Sequence, residues 1–569
     1  MTRPPSHRLV ALLAVFLLAF GGIVVRLASL QVRDSRALTR IGVEQRLHTI
    51  VIPADRGAIL DRTGTPLALS LDARDVYVDP REVTDPVTEA RKIAKVLRLK
   101  ASDVERSLTS TATFVYVSRQ VDLDVAERLD SMHLAGIQLL PVQKRYYPAG
   151  ALAPQVLGFV GVDGGLAGLE YEYNRELAGI KGASTAELTS IGLPISNGVD
   201  TVQEPIPGQT LVSTIDRQMQ YQSQRYLEQA VRSNGARGGT IVVMDPATGD
   251  VLAMASYPWF DPNRFSTADP EAWRNRAVTD TFEPGSVNKT ITAAAALDTQ
   301  KVSPTRTFMV PDELHIGSYT IHDSDYHAPE RMTLGDIIAK SSNIGATMIA
   351  ARVGSLDLAS YMGKFGYGQP TGIGFPGEAS GVVPPISQWN DVTRSSASYG
   401  QGVSVTPLQM ATVYATIANG GTWVQPRLVA GFQDDGGSFQ AAPASPTHEV
   451  IFPATAAMVT RMLAYVVSEG TGINAQIPGY QVAGKTGTAR KVDSSGHYVD
   501  QYMASFVGFL PAAAPRLVIA VTLDQPRTVY GGVAAAPVFQ EVARYAIQRL
   551  GIPAAPPVDL PPHALQLEP

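Results

Sequence analysis

EPGSVNKTITAAAAL, residues Glu283–Leu297, is the stretch around which the rest of the chain organises. Pro284 and Gly285 break the chain, and an alanine-rich helical pattern follows, so a helix is predicted here with Ser286 in its first turn. Ser286 and Lys289 stand three residues apart and therefore share a face. A serine hydroxyl is a poor nucleophile until a base takes its proton, and a desolvated lysine can do that. The helix N-terminus adds partial positive charge where an oxyanion would develop. Alone, S-x-x-K is a weak signal in a chain of 569 residues.

On the N-terminal side, LVSTID (Leu211–Asp216) reads as a strand ending in a helix cap, with a helix from about Arg217 to Arg232. TIVVM (Thr240–Met244) and VLAMAS (Val251–Ser256) flank the turn-like DPATGD and predict a hairpin. On the C-terminal side, strands are predicted over Gln481–Ala489, Tyr502–Leu510 and Leu517–Leu523, whereas Ser286 to about Leu463 reads as helical. Strands early, helices between and strands late predict an α+β domain whose sheet is closed by distant segments.

Two further motifs fall in that domain. Ser341-Ser342-Asn343 precedes the helical IGATMIAARV and offers a hydroxyl to relay a proton and an amide to hold a carbonyl. Lys485-Thr486-Gly487-Thr488 lies in a predicted strand. Its charge and hydroxyls suit a terminal carboxylate, and Gly487 would let a substrate backbone approach the strand edge. Taken singly, the first is usually a cap and the second a turn. Together and in this order they make the active-site serine penicilloyl-transferase signature.

With these motifs the chain resembles the class B penicillin-binding proteins past its N-terminal segment. Similar stretches include DRGAILDRTG (Asp55–Gly64), GLEYEYNRELAG (Gly168–Gly179), AMASYPWFDPN (Ala253–Asn263), TGIGFPGE (Thr371–Glu378), YGQG (Tyr399–Gly402), SFVGFLP (Ser505–Pro511) and YGGVAAAPVF (Tyr530–Phe539). The resemblance implies a penicillin-binding/β-lactamase-like transpeptidase domain, an antiparallel sheet with a helical subdomain, on a mixed α/β pedestal. It implies peptidoglycan transpeptidation, with Ser286 attacking a D-Ala-D-Ala amide, Lys289 as general base and Ser341 passing the proton. Asn343 would hold the substrate, and Lys485, Thr486 and Thr488 would grip its carboxylate edge. Val287-Asn288 departs from the family's usual Thr-apolar pair, and Asn288 is expected to point off the catalytic face. The late strands and YGGVAAAPVF most resemble the septal FtsI type, with the elongation type next. A SEDS-type, FtsW-like membrane glycosyltransferase and other division proteins are the implied partners, β-lactams the implied inhibitors.

The expected division is a short cytoplasmic tail and membrane anchor over 1–30, a dimerisation or pedestal domain over 31–210, the transpeptidase domain over 211–550 and a Pro-rich disordered tail over 551–569. The anchor rests on LVALLAVFLLAFGGIVV (Leu9–Val25), followed by Arg26, which reads as an uncleaved single span rather than a signal peptide. The catalytic domain is placed outside the cytoplasm by what its site needs, since Arg26, Arg33, Arg36 and Arg40 give no charge bias in favour. A chain of this length exceeds one core. With no cysteine, disulfides, thiolate zinc sites and cysteine nucleophiles are excluded, and a net charge of −5 gives no basic patch for nucleic acid. No cofactor or metal is expected, and His322-Asp323-Ser324-Asp325 with His327 reads as a solvated loop. A β-lactamase, a D,D-carboxypeptidase and a catalytically silent scaffold are the rival readings. The large region from 40 to 210 argues against the first, acceptor choice is open for the second, and the intact Ser, Lys and Asn positions argue against the third.

Overall fold

A computed structural model describes residues 7–33, 47–187, 200–493 and 495–564. The chain divides into two compact units, one of residues 1–55 with 179–207 and one of 56–178 with 208–569.

The first unit carries the helix His7–Ala28 and a three-stranded antiparallel sheet. In that sheet Leu47–Ile52 and Asp200–Gln203 flank Gly182–Glu187. The helix is largely apolar and buries none of its residues, and within His7–Gln31 an 18-residue window reaches a mean hydropathy of 2.6, enough in length and composition to cross a membrane. Residues 1–6 of the expected tail, and Arg36 and Arg40, lie outside the described residues.

In the second unit, the 13-residue strand Pro66–Val78 pairs along its length with Ile137–Tyr146 and with Val115–Asp122. The helices Pro86–Leu97, Ala101–Leu108 and Leu123–Asp130 cover this sheet, closing a small core around Val76, Ile93, Val104, Leu108 and Leu129. The same sheet continues through Ile59–Leu60 into Thr210–Ser213 and Val429–Gln433, so strands on both sides of position 210 share one hydrogen-bond ladder.

The site is carried by a five-stranded antiparallel sheet in the order Val251–Tyr257, Gly238–Met244, Leu517–Asp524, Tyr498–Leu510, Ala483–Val492. Gly238–Met244, Val251–Tyr257 and Leu517–Asp524 are apolar on both faces because both are covered. Along the central strand, Val518 and Ala520 face the core beneath helix Pro407–Ala418, while Ile519, Val521 and Leu523 face the one beneath Arg217–Asn234 and Ala536–Leu550. Ala483–Val492 is the outer strand, and it lies against the turn that carries Ser286.

The middle of the chain is helical as expected but not wholly so. Between Thr307 and Thr333 four short strands form two two-stranded sheets, Thr307–Val310 with Glu330–Thr333 and Glu313–Ile316 with Tyr319–His322. Each is only four residues long, too short for a clear period-two signal.

The proline-rich end corrects the expectation of disorder. Over 551–564 it is laid along the domain: the Tyr480 hydroxyl donates to the Ile552 carbonyl at 2.7 Å, and Val558 exchanges two hydrogen bonds with the Gln481 amide. The Ala564 N–H donates to Asp336 at 3.1 Å, and Val558 and Leu560 pack on the main core. Prolines limit the freedom of the unfolded segment, so a few anchors suffice to order it. Residues 565–569 lie outside the described residues.

Candidate active site

Ser286 does not sit in an α-helix proper. Gly285–Asn288 forms a 3-10 turn, and the α-helix Lys289–Asp298 begins where that turn ends. Gly285 has φ +57°, and a Cβ there would lie 2.9 Å from the Thr488 carbonyl oxygen, so only glycine lets the turn approach the strand this closely. The helix is buried from Lys289 to Leu297, and its alanines admit close neighbours on every side. The Tyr414 hydroxyl, fully buried on the helix Pro407–Ala418, donates to the Val287 carbonyl at 3.0 Å and bonds Thr290 at 2.9 Å.

Lys289 is wholly buried, and its Nζ converges on three elements. It lies 3.1 Å from Ser286 Oγ, 2.7 Å from Asn343 Oδ1 and 3.3 Å from Ser341 Oγ, and donates to the Ser341 carbonyl. Burial pulls its pKa down to about 7, and the Asp323 carboxylate partly opposes that shift. A neutral amine in reach of the serine proton is what general-base activation needs.

Ser341 and Asn343 lie on a turn between two helices rather than on an open loop. Ser341 ends the helix Leu334–Lys340 in the left-handed region (φ 63°), and Ser342 caps the helix Asn343–Val353 by accepting from the Gly345 N–H at 2.8 Å. A β-carbon in the left-handed region costs about 1 kcal/mol, and here that conformation turns the Ser341 carbonyl and hydroxyl toward Lys289.

Lys485 projects from the outer strand into the protein and is likewise wholly buried, with Nζ 2.9 Å from Ser341 Oγ and 3.2 Å from Thr486 Oγ1. Burial, then the charge of Lys289, hold its pKa well below the usual lysine value. Thr486 Oγ1 bonds Thr471 at 2.7 Å, and Thr488 Oγ1 accepts from the Gly531 N–H at 3.2 Å. The reason expected for Gly487 is corrected. A Cβ at that position would meet Ser505 Oγ at 2.3 Å and the Pro284 carbonyl at 3.1 Å, so the space is taken by the protein itself. Asn288 points away from Lys289: its amide donates to the Ala397 carbonyl at 2.7 Å.

Ser286, Ser341, Asn343, Thr486 and Thr488 open together on a cleft of about 600 Å³, walled by Tyr399, Tyr502 and Tyr530. A slightly larger hollow, about 670 Å³, lies between Val467, Tyr480 and Gln540 and holds none of the three motifs. The chemistry, not the volume, marks the site.

Two residues of the site were not singled out from sequence. Glu283 receives the Gly402 N–H at 2.8 Å and the Tyr498 hydroxyl at 3.0 Å, tying the segment before Ser286 to the YGQG turn and to the sheet. Burial raises its pKa, with both hydrogen bonds opposing. In the loop 322–327, where His322, Ser324, Asp325 and Tyr326 are exposed, Asp323 is an exception. Its side chain is 8 % exposed, and Oδ1 accepts from the Asn343 and Ile344 N–H groups. The visible signal was an acid cluster, but nothing local to it announces a helix cap twenty residues downstream.

The chain matches the model of the penicillin binding protein transpeptidase domain over 239–544 and that of the penicillin-binding protein dimerisation domain over 51–213. It is 35% identical to penicillin-binding protein PbpB of Mycolicibacterium smegmatis over 98% of this chain and 91% of that one. It is 33% identical to peptidoglycan D,D-transpeptidase FtsI of Escherichia coli K12 over 96% of this chain and 92% of that one. The crystal structure of penicillin-binding protein 3 from Mycobacterium tuberculosis complexed with aztreonam superposes with a TM-score of 0.71 at 33% identity, covering 90% of this chain and all of that one. A serine–lysine–serine–asparagine–lysine constellation on this sheet, with relatives about a third identical over nearly the whole chain, identifies a class B member of the penicillin-binding protein family.

Proposed function

We propose that this protein is a peptidoglycan D,D-transpeptidase that cross-links stem peptides through an acyl-enzyme on Ser286, in septal wall synthesis. The observation that carries the reading is Lys289 Nζ, buried, 3.1 Å from Ser286 Oγ and within reach of Asn343 and Ser341. Ser286 Oγ attacks the carbonyl of the penultimate D-Ala while neutral Lys289 takes its proton. The oxyanion is met by the backbone N–H groups of Ser286 and Thr488, which act only as charge develops. The C–N bond then breaks, and the terminal D-Ala leaves with a proton delivered from Lys289 through the Ser341 hydroxyl. Lys485 holds that hydroxyl in place and, with Thr486 and Thr488, faces the substrate carboxylate. Asn343 positions both Lys289 and the peptide. An amine from a second strand attacks the Ser286 ester, gives its proton back along the same route and frees Ser286. A β-lactam enters the first step and stalls there.

The similarity to FtsI supports the septal assignment, and with it a SEDS-type, FtsW-like membrane glycosyltransferase as partner. The exposed apolar helix supports a single-pass anchor in the plasma membrane, and the peptidoglycan substrate of the site supports a catalytic domain outside the cytoplasm. On this reading 31–210 serves as the pedestal and the transpeptidase domain runs from 211 through the docked end at 564.

The test is benzylpenicillin binding to the purified chain, read by intact mass and peptide mapping. A stable penicilloyl adduct on Ser286, absent in Ser286→Ala, is expected. Rapid hydrolysis of the adduct would instead make the protein a β-lactamase, and a folded chain with no adduct would make it a scaffold.

A further inference from the structure

The loop after the strand Tyr319–His322 does more than border the cleft. Asp323 Oδ1 accepts from the Asn343 and Ile344 N–H groups, the His322 carbonyl accepts from the Asn343 amide at 3.1 Å, and Asp323 Oδ2 faces His327 Nε2 at 3.1 Å. Asn343 in turn holds Lys289 at 2.7 Å. A short chain of contacts therefore runs from His327 to the general base.

The protonation of His327 follows from its partners. Nδ1 lies 2.9 Å from the Ala328 carbonyl, which can only accept, so that nitrogen carries a hydrogen. Nε2 faces a carboxylate, which also accepts, so it needs a hydrogen as well. Only the imidazolium satisfies both bonds. The surroundings favour that charge. Asp323 and Asp325 lie on its own loop, Glu330 is 3.7 Å from Nδ1, and Glu469 beyond the helix Pro453–Ser468 lines the same hollow. Among the described residues that line this hollow the one cation besides His327 itself, Lys340 on the helix Leu334–Lys340, is paired with Glu330 at 2.7 Å. Burial lowers the pKa of His327, but the Ala328 and Asp323 hydrogen bonds and the Asp323 and Glu330 charges outweigh it, leaving the pKa raised.

We propose that Asp323 and His327 form a positioning pair for acylation, in which the His327 imidazolium locks the Asp323 carboxylate that holds the Ser341–Asn343 turn against Lys289. Neither residue touches the reacting atoms. Loss of one His327 proton removes the imidazolium charge and leaves a single ring hydrogen for two acceptors, so the contact with Asp323 weakens and its hold on the turn loosens. The pair therefore slows acylation on the alkaline side of the His327 titration, whereas Lys289 needs to be neutral and so limits the acid side. The inference rests on the transpeptidase reading of the same site.

The full chain in detergent is reacted with benzylpenicillin from pH 5.5 to 9.5, and the second-order rate of Ser286 acylation is compared in wild type, His327→Gln and His327→Leu, with melting temperatures alongside. Glutamine donates one hydrogen bond to Asp323 at every pH, so His327→Gln is expected to keep the acid limb and lose the alkaline decline. Leucine donates none, so His327→Leu is expected to fall about tenfold at neutral pH while still melting cooperatively. Profiles of both variants that superpose on wild type would overturn the pair, as would a uniform fall in both with the alkaline decline intact. A wild-type chain that takes up no penicilloyl group would instead sink the transpeptidase reading, and the pair with it.

Discussion

Arg56 and Arg145 reach Glu170 in the pedestal through hydrogen bonds of 2.7 and 2.6 Å, while among the described residues no carboxylate is hydrogen-bonded to Lys289 or Lys485 in the catalytic cleft. Both groups are buried. The first joins DRGAILDRTG to RYYPAG (Arg145–Gly150) and GLEYEYNRELAG, and the Glu170 side chain, 0 % exposed, is bonded by two guanidinium groups, with the Tyr147 hydroxyl nearby at 3.4 Å. Its Coulomb attraction offsets the desolvation of its charges, and removing one partner leaves the other stranded. In the second cluster the missing counter-charge is the functional point: desolvation with only partial compensation pushes Lys289 toward the neutral form a general base requires. One arrangement holds three chain segments together, and the other keeps an amine reactive.

The contrast can be broken by exchanging the losses. Lys289→Met is expected to slow acylation by benzylpenicillin about 10²–10⁴-fold, the range of a lost general base, with little change in thermal stability. A large drop in melting temperature would mean the lysine is structural after all. Glu170→Ala is expected to do the reverse, lowering stability by about 3–5 kcal/mol in denaturant unfolding while the acylation rate of the folded fraction holds. Equal stability in that variant would dissolve the comparison. A smaller effect comes from pH. Lys289 acts as base only when neutral, so its contribution sets the acid limb alone: that contribution is complete above about 7 and is lost as pH falls through it, about tenfold per unit below. A rate flat from pH 5 to 8 would show that Lys289 does not titrate there. Smallest is Gln481→Ala, which removes two hydrogen bonds to Val558 and is expected to cost about 1–2 kcal/mol, with faster amide exchange over 551–564. Unchanged exchange there would show that the end is held by its apolar contacts alone.

The sheet and the three motifs were legible because each writes a local pattern. The late strands were placed within a few residues, since buried strands of Val, Ile and Phe stand out against their flanks, and Arg217–Asn234 announced itself by the Asp216 cap. What sequence missed is recorded only in contacts across distance. Asp323 acts on backbone N–H groups twenty residues away, and Gly487 is glycine because Ser505 and Pro284 fill the space beside it. Composition misled at the chain's end, because prolines mark irregular backbone whether or not it is anchored. No spacing rule reveals that the three segments carrying Arg56, Arg145 and Glu170 meet.

The five-stranded sheet pairs Thr240 with Thr522, hydroxyl to hydroxyl at 2.7 Å, across 282 residues of chain. A ribosome adding roughly 5–20 residues per second needs roughly 15–55 seconds to cover that interval. Throughout it the hairpin Gly238–Tyr257 has been made while the inner strand it awaits has not. The open edge belongs to GGTIVVM, apolar and β-branched, the composition most prone to pair with the wrong neighbour. Closure across so long an interval makes a slow refolding phase, with aggregation at high concentration, the signature to expect in vitro.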